Sequence, residues 1–294
     1  MTFRVWWMAA RPKTLWAASA PVLMGTAMAW DGGVFHGPAA LCALLGALLI
    51  QIGTNYANDY FDHQKGTDTA ERIGPLRVTQ AGLVSPGTMR KAMALVFLLA
   101  LIPGACLVYR GGWPLVAIGL ASILCGILYT AGPAPLGYIG LADLFVLVFF
   151  GPVAVGGTYY VQALSLPPEV AIAGLAPGLL SVALLTVNNL RDIDGDRAAG
   201  KRTLAVRFGR SFARAEYLLS LVIACVAVPL YLVWRLPSHT LSLLALGTII
   251  LAVPAVRTVF TRNEGPALNG ALAHTGRLLI LFSVLFSIGW ILSP

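Results

Sequence analysis

Long apolar runs alternate with short polar breaks along the whole of this chain. Nine runs of roughly 20 apolar residues, the length of helix that crosses about 30 Å of hydrocarbon, begin near Thr14, Pro38, Lys91, Trp113, Leu141, Pro167, Ala213, Ser238 and Ala271. The pattern predicts an all-α fold, a polytopic transmembrane bundle of nine helices. No polar stretch between the runs is long enough for a second domain, so residues 1–294 read as a single membrane domain. Proline and glycine recur inside the runs, as at Pro103, Gly104, Pro152, Pro177 and Gly178. In a bundle such residues are tolerated as kinks and points of close helix approach, because neighbouring groups satisfy the freed backbone.

Composition agrees with the pattern. Hydrophobic residues make up 58% of the chain, charged residues only 11%, and mean hydropathy is +0.80. The net charge of +8 raises the question of nucleic acid, but the basic residues follow the spans. Eighteen of the twenty fall in segments on one side, leaving only Arg110 and Arg235 on the other. The excess of Lys and Arg on cytoplasmic loops puts the N-terminus inside and the C-terminus outside, and nucleic-acid binding is excluded as the explanation of the charge. The basic start followed by an apolar stretch lacks a small-residue cleavage site, so it reads as the first span and not as a cleaved signal. Cys42, Cys106, Cys125 and Cys225 lie within apolar runs without CxxC spacing, and read as small core hydrophobes.

Against this background, two short stretches hold seven of the twelve acidic residues, each where an apolar run ends on the cytoplasmic side. One contains Asn55, Asn58, Asp59, Asp62, Lys65, Gly66, Asp68 and Glu71; the other Asn188, Asn189, Asp192, Asp194, Asp196, Gly200 and Lys201. Asn55, Asp59, Asp62 and Gly66 match Asn188, Asp192, Asp196 and Gly200 in near-equal spacing, a weak internal repeat that suggests two related halves around one cavity. A carboxylate beside hydrocarbon is costly, so a cluster there must be compensated by cations, bound metal or water, and is by default a candidate functional site.

Residues three and four apart share a helix face, so Asn55, Asp59 and Asp62 are expected to project together, as are Asn188, Asp192 and Asp196. Such oxygen donors suit Mg²⁺, which takes one or two carboxylates, waters and substrate phosphates. Lys65, Arg72, Arg77, Lys201 and Arg202 are placed to neutralise phosphate charge. Asp194 and Glu71 fall off the shared faces and read as solvated loop charges. A diphosphate at the rim of an apolar bundle implies an amphiphilic substrate, and a polyprenyl diphosphate fits. Tyr56, Tyr60, Tyr138, Phe149, Tyr159 and Tyr160 are candidate walls for shielding an allylic cation.

The residues Asn58-Asp59-x-x-Asp62 and Asp192-x-x-x-Asp196-x-x-x-Gly200-Lys201 resemble the two aspartate-rich motifs of UbiA-type intramembrane prenyltransferases, a family of nine-helix bundles. A narrower likeness is to the menaquinone branch, which prenylates 1,4-dihydroxy-2-naphthoate. It rests on Arg11-Pro-Lys-Thr-Leu15, Asn58-Asp-Tyr-Phe-Asp62, Gly74-Pro-Leu-Arg77, Tyr129-Thr-x-Gly132-Pro-x-Pro-Leu-Gly-Tyr138 and Asn188-Asn-Leu-Arg-Asp192. The resemblance implies a Mg²⁺-dependent enzyme of the cell inner membrane, its site facing the cytoplasm, joining a polyprenyl group to the naphthoate with loss of CO₂ and diphosphate. By the same likeness Asp59, Asp62, Asp192 and Asp196 are catalytic and hold metal. Asn58, Lys65, Arg77, Asn188 and Lys201 then bind substrate. The family's usual further Asp, four residues after Asp62, is replaced by Gly66, so Asp68 is not assigned as a ligand. Residues 132–140 carry no charge where hydroxybenzoate enzymes tend to have a basic pair, which favours the naphthoate.

Two other readings stay open at this stage. The same centre would serve a sister enzyme acting on 4-hydroxybenzoate or homogentisate, and an ion-coupled carrier could also bind cations through carboxylates. Carriers tend to place such residues near mid-membrane on broken helices, whereas these lie at the ends of the runs.

Overall fold

The computed structural model describes residues 2–66, 74 and 76–293, and every regular element among them is helical. Asp68, Glu71 and Arg72, named above, lie outside the described residues. The elements run α1 (Phe3–Ala10), α2 (Pro12–Asp31), α3 (Gly37–Lys65), α4 (Pro86–Gly111), α5 (Trp113–Leu128), α6 (Ala142–Phe149) and α7 (Pro152–Ala163). They continue with α8 (Pro168–Arg191), α9 (Ile193–Ala198), α10 (Leu204–Val222), α11 (Val228–Arg235), α12 (Gly247–Thr261) and α13 (Gly265–Leu292). Seven helical stretches among the described residues are long and apolar enough to cross a membrane: α3, α4, α6 with α7, α8, α10 through α11, the segment ending in α12, and α13.

Local chemistry sets most helix starts. Proline stands in the first turn of α2, α3, α4, α5, α7 and α8, where its missing N–H costs no hydrogen bond. Side chains cap others: the amides of Thr88 and Val206 donate to the hydroxyls of Ser85 and Thr203, each at 3.3 Å. The break between α10 and α11 is a π-helical turn, Ile223–Ala227. Pro229 follows it; a proline ring crowds the carbonyl four residues back, and the wider turn relieves that contact.

The interior is built around α8, whose Ala173, Ala176, Leu180, Ala183, Val187 and Leu190 are buried against residues of α2, α7, α10 and α13. Close packing there depends on glycine. A Cβ on Gly174 would stand 2.8 Å from the Pro152 Cα, and one on Gly178 would stand 2.5 Å from the Leu147 carbonyl oxygen. The small-xxx-small pair lets α8 pass directly over the break at Gly151 that divides α6 from α7. Of the four cysteines, all free, only Cys225 is buried; Cys106 is exposed on the outer face of α4 and so is not a core residue.

Candidate active site

A cavity of about 1210 Å³ opens where α3 and α8 end. Its walls are mostly apolar, contributed by α2, α3, α4, α5, α6, α7 and α8, and include Leu101, Val116, Phe145, Phe149 and Leu185. Its polar rim holds Asn58, Asp62, Arg77, Asn188, Asp192, Asp196 and Lys201. The two motifs, about 130 residues apart in sequence, therefore meet at one mouth, as the repeat implied.

The first motif divides into two stripes. At 100° per residue, Asn58 and Asp62 form one line of α3 and Asn55 and Asp59 the next. The first line faces the cavity and the second does not. Asn55 Nδ2 donates to the Ala10 carbonyl and to Thr14 Oγ1, both at 2.9 Å. It thereby pins the junction of α1 and α2, where Arg11 holds a left-handed backbone (φ 50°) uncommon for any residue but glycine. Asp59, 2% exposed, accepts the amide of Val78 at 3.1 Å on one oxygen and that of Thr79 at 3.0 Å on the other. Both oxygens thus anchor the loop that carries Arg77. Asn58 accepts from Thr130 Oγ1 at 3.1 Å. Asp62 accepts from Tyr138 Oη at 2.9 Å and pairs with Arg77 at 2.6 Å, deep enough that both side chains are 5% exposed. Lys65 donates to the carbonyls of Thr130 (2.7 Å) and Gly132 (3.0 Å), and Gly66 closes the helix with φ 64°.

The second motif is not one continuous helix. Helix α8 stops at Arg191, Asp192 leaves helical geometry, and α9 restarts at Ile193, with the Asp196 amide still bonded to the Asp192 carbonyl at 2.7 Å. Arg191, part of the Asn188-Asn-Leu-Arg-Asp192 motif and one of the topology-setting charges, is not among the site residues expected from the sequence. Its guanidinium grips both oxygens of Asp192 (2.7 and 2.5 Å), Asn188 Oδ1 at 2.7 Å and Asn269 Oδ1 of α13 at 2.8 Å. Its position three residues after Asn188 and next to Asp192 was the available signal. Asp196 pairs with Lys201 at 3.1 Å across the turn made by Gly200 (φ 73°). Asp194 faces outward to Arg210 and Arg197, as its off-face position suggested.

The aromatic expectations separate in the same way. Tyr138 and Phe149 line the cavity. Tyr56 and Tyr60 instead pack beneath α1, Tyr159 lies in the core around α8, and Tyr160 donates to the Gly111 carbonyl at 3.0 Å. Tyr129, which heads one of the motifs but was not among the candidate wall residues, lines the cavity, and burial pushes its phenol well above the ordinary value, so it stays protonated.

Each rim carboxylate is held by a cation of the same site: Asp62 by Arg77, Asp192 by Arg191, Asp196 by Lys201. Among the described residues no three His, Cys, Asp or Glu side chains gather closely enough to form a ready metal cage. The donor set is nonetheless that of a hard cation: several carboxylate and amide oxygens on one rim, with Lys and Arg beside them for an anion that shares the metal.

Comparison with known proteins decides the family. Residues 18–269 match the UbiA prenyltransferase family. The chain belongs to it. A family member from Haemophilus influenzae, 1,4-dihydroxy-2-naphthoate octaprenyltransferase, is 38% identical over 97% of this chain and 95% of its own length. The Escherichia coli protein of the same description is 40% identical over 99% of this chain and 96% of its own length. A UbiA homolog from Archaeoglobus fulgidus, solved bound to GPP and Mg²⁺, shares the fold with a TM-score of 0.67 at 14% identity, covering 96% of this chain and 99% of that one.

Proposed function

We propose that this chain is a Mg²⁺-dependent membrane enzyme that transfers a polyprenyl group from polyprenyl diphosphate to 1,4-dihydroxy-2-naphthoate, releasing diphosphate and CO₂ to give demethylmenaquinol, the hydroquinone form of demethylmenaquinone. The observation that carries the reading is the rim of paired carboxylates and cations at the mouth of a long apolar cavity. Near full-length likeness to relatives described as naphthoate octaprenyltransferases supports the acceptor. So does the uncharged stretch 132–140, beside which a fused two-ring acceptor gains by apolar contact.

In this reading Asp62, Asp192 and Asp196, with Asn58 and Asn188, hold the metal, and Arg77, Lys65 and Lys201 take the diphosphate. Bound Mg²⁺ supplies Lewis acidity to the leaving diphosphate. The chain's part is an exchange of partners: the carboxylates leave Arg77 and Lys201, and those cations close on the phosphate oxygens. Asp59 serves by holding the Arg77 loop through its two amide contacts. The apolar walls receive the prenyl tail, and Phe145, Phe149 and Tyr129 keep water from the allylic carbon as its bond to oxygen breaks.

We place the protein in the cell inner membrane with the rim, the N-terminus and most Lys and Arg on the cytoplasmic side and the C-terminus outside. Helices α2 and α5 join the seven long apolar stretches as crossings, giving nine. The test is competition between 1,4-dihydroxy-2-naphthoate and 4-hydroxybenzoate at equal concentration with purified protein, with Mg²⁺ or a chelator, following prenylated product and CO₂. Preferred use of hydroxybenzoate without CO₂, or turnover that survives chelation, overturns the assignment.

A further inference from the structure

Tyr138 touches both halves of the rim at once. Its hydroxyl donates to Asp62 of the first motif at 2.9 Å, and its carbonyl accepts the amide of Arg202, just past the second, at 2.7 Å. The ammonium groups of Lys65 and Lys201 both lie over its ring, each 4.9 Å from the centroid. Two like charges near one point repel, and the negative face of an aromatic ring attracts both without adding a charge of its own. Lys65 is steered further by the carbonyls of Thr130 and Gly132, and Lys201 by Asp196.

We infer that Tyr138 is a positioning residue that gathers Lys65 and Lys201 into one diphosphate clamp through its ring and orients Asp62 for the metal through its hydroxyl. The inference rests on the proposed prenyltransferase reading and adds a division of labour within one side chain. A carboxylate would hold the lysines more strongly, but it would repel the diphosphate. A ring holds them and yields when the anion arrives.

The division is testable because the two parts can be removed separately. Tyr138→Phe keeps the ring and removes the hydroxyl; Tyr138→Leu removes both. Binding of inorganic diphosphate to the intact protein without Mg²⁺, followed calorimetrically, is expected to stay within about two-fold for Tyr138→Phe and to weaken about ten-fold for Tyr138→Leu. In turnover, Tyr138→Phe is expected to raise the Mg²⁺ concentration for half-maximal rate about ten-fold, the scale for losing an outer partner of a metal ligand. Tyr138→Leu should raise the KM for prenyl diphosphate while the KM for the aromatic acceptor stays within about two-fold. If the Leu variant does not fold, ring-fluorinated phenylalanine at position 138 weakens the ring's negative face at constant shape, and diphosphate affinity should fall with each added fluorine. Wild-type protein that binds diphosphate while the Leu or fluorinated forms bind it equally well overturns this inference alone. Equal losses for the Phe and Leu variants, or an equal rise in both KM values, do the same. Wild-type protein that neither binds diphosphate nor turns over overturns the prenyltransferase reading and the inference with it.

Discussion

Asp59→Asn separates a metal ligand from a loop anchor. Each Asp59 oxygen now takes one backbone amide, at 3.0 and 3.1 Å, in a place 2% exposed. Asparagine can keep one of these bonds through its carbonyl, but its NH₂ then faces the second amide, donor against donor. A buried donor left without a partner costs about 1–3 kcal/mol, and trading a charged acceptor for a neutral one costs about 1 kcal/mol more. The loop then loses about 3 kcal/mol of docking, roughly a hundred-fold in its docking equilibrium constant. Arg77 directly precedes the anchored residues, so undocking carries it away from Asp62. The variant should therefore lose turnover about a hundred-fold and expose the bond after Arg77 to trypsin, while Asp62→Asn loses turnover without added cleavage. Cysteine with Cd²⁺ sharpens the contrast, because a thiolate at a true ligand position binds that soft ion. Partial rescue is expected for Asp192→Cys and none for Asp59→Cys. Cd²⁺ rescue of Asp59→Cys, or lost activity with the Arg77 bond still protected, would refute the loop argument and make Asp59 a direct ligand.

Lys201→Met and Arg77→Met should each raise the KM for prenyl diphosphate and lower kcat, since in the proposed reading both cations contact the anion before and during bond breaking; unchanged donor kinetics would return that residue to topology alone. Arg191→Leu leaves Asp192 uncompensated where the two side chains are 1% and 17% exposed, so about 3–5 kcal/mol of stability should go, read as a lower unfolding temperature. Arg191→Lys should recover only part of it, lacking the planar fork. Gly174→Leu forces a side chain into a contact already 2.8 Å from Pro152 at its Cβ, and thermal unfolding should fall by several degrees, on the scale of about 1–3 kcal/mol for overpacking.

The apolar runs announced the long helices because length and hydropathy are properties of a segment by itself. The breaks at Gly151 and Asp192 were hidden because they depend on partners: Gly151 yields to the backbone of α8, and Asp192 is drawn out of helix by the Arg191 fork. The two acidic motifs were legible as one site from composition and spacing. Which stripe faced the cavity was not. The three-and-four spacing put Asn55, Asp59 and Asp62 on one face, but it carries no information about what packs opposite each, here α1 and the Arg77 loop beside Asn55 and Asp59 and open cavity beside Asn58 and Asp62. Arg191 was missed for a related reason, since its charge had a sufficient explanation in membrane topology until its four contacts were seen.

The apolar cavity changes what affinity means for this protein. A donor whose tail lies among Leu101, Val116, Phe149 and Leu185 and whose head alone meets water is drawn from the bilayer and not from solution. Its availability is then a surface density, counted in molecules per lipid. Dilution with buffer leaves that density nearly unchanged, while added lipid or detergent lowers it. A KM quoted in molar units would drift with the amount of amphiphile in the assay, and two laboratories using the same protein would agree only after expressing the donor as a mole fraction. The aromatic acceptor, small enough to arrive through water, would follow ordinary concentration, so one active site answers to two different scales.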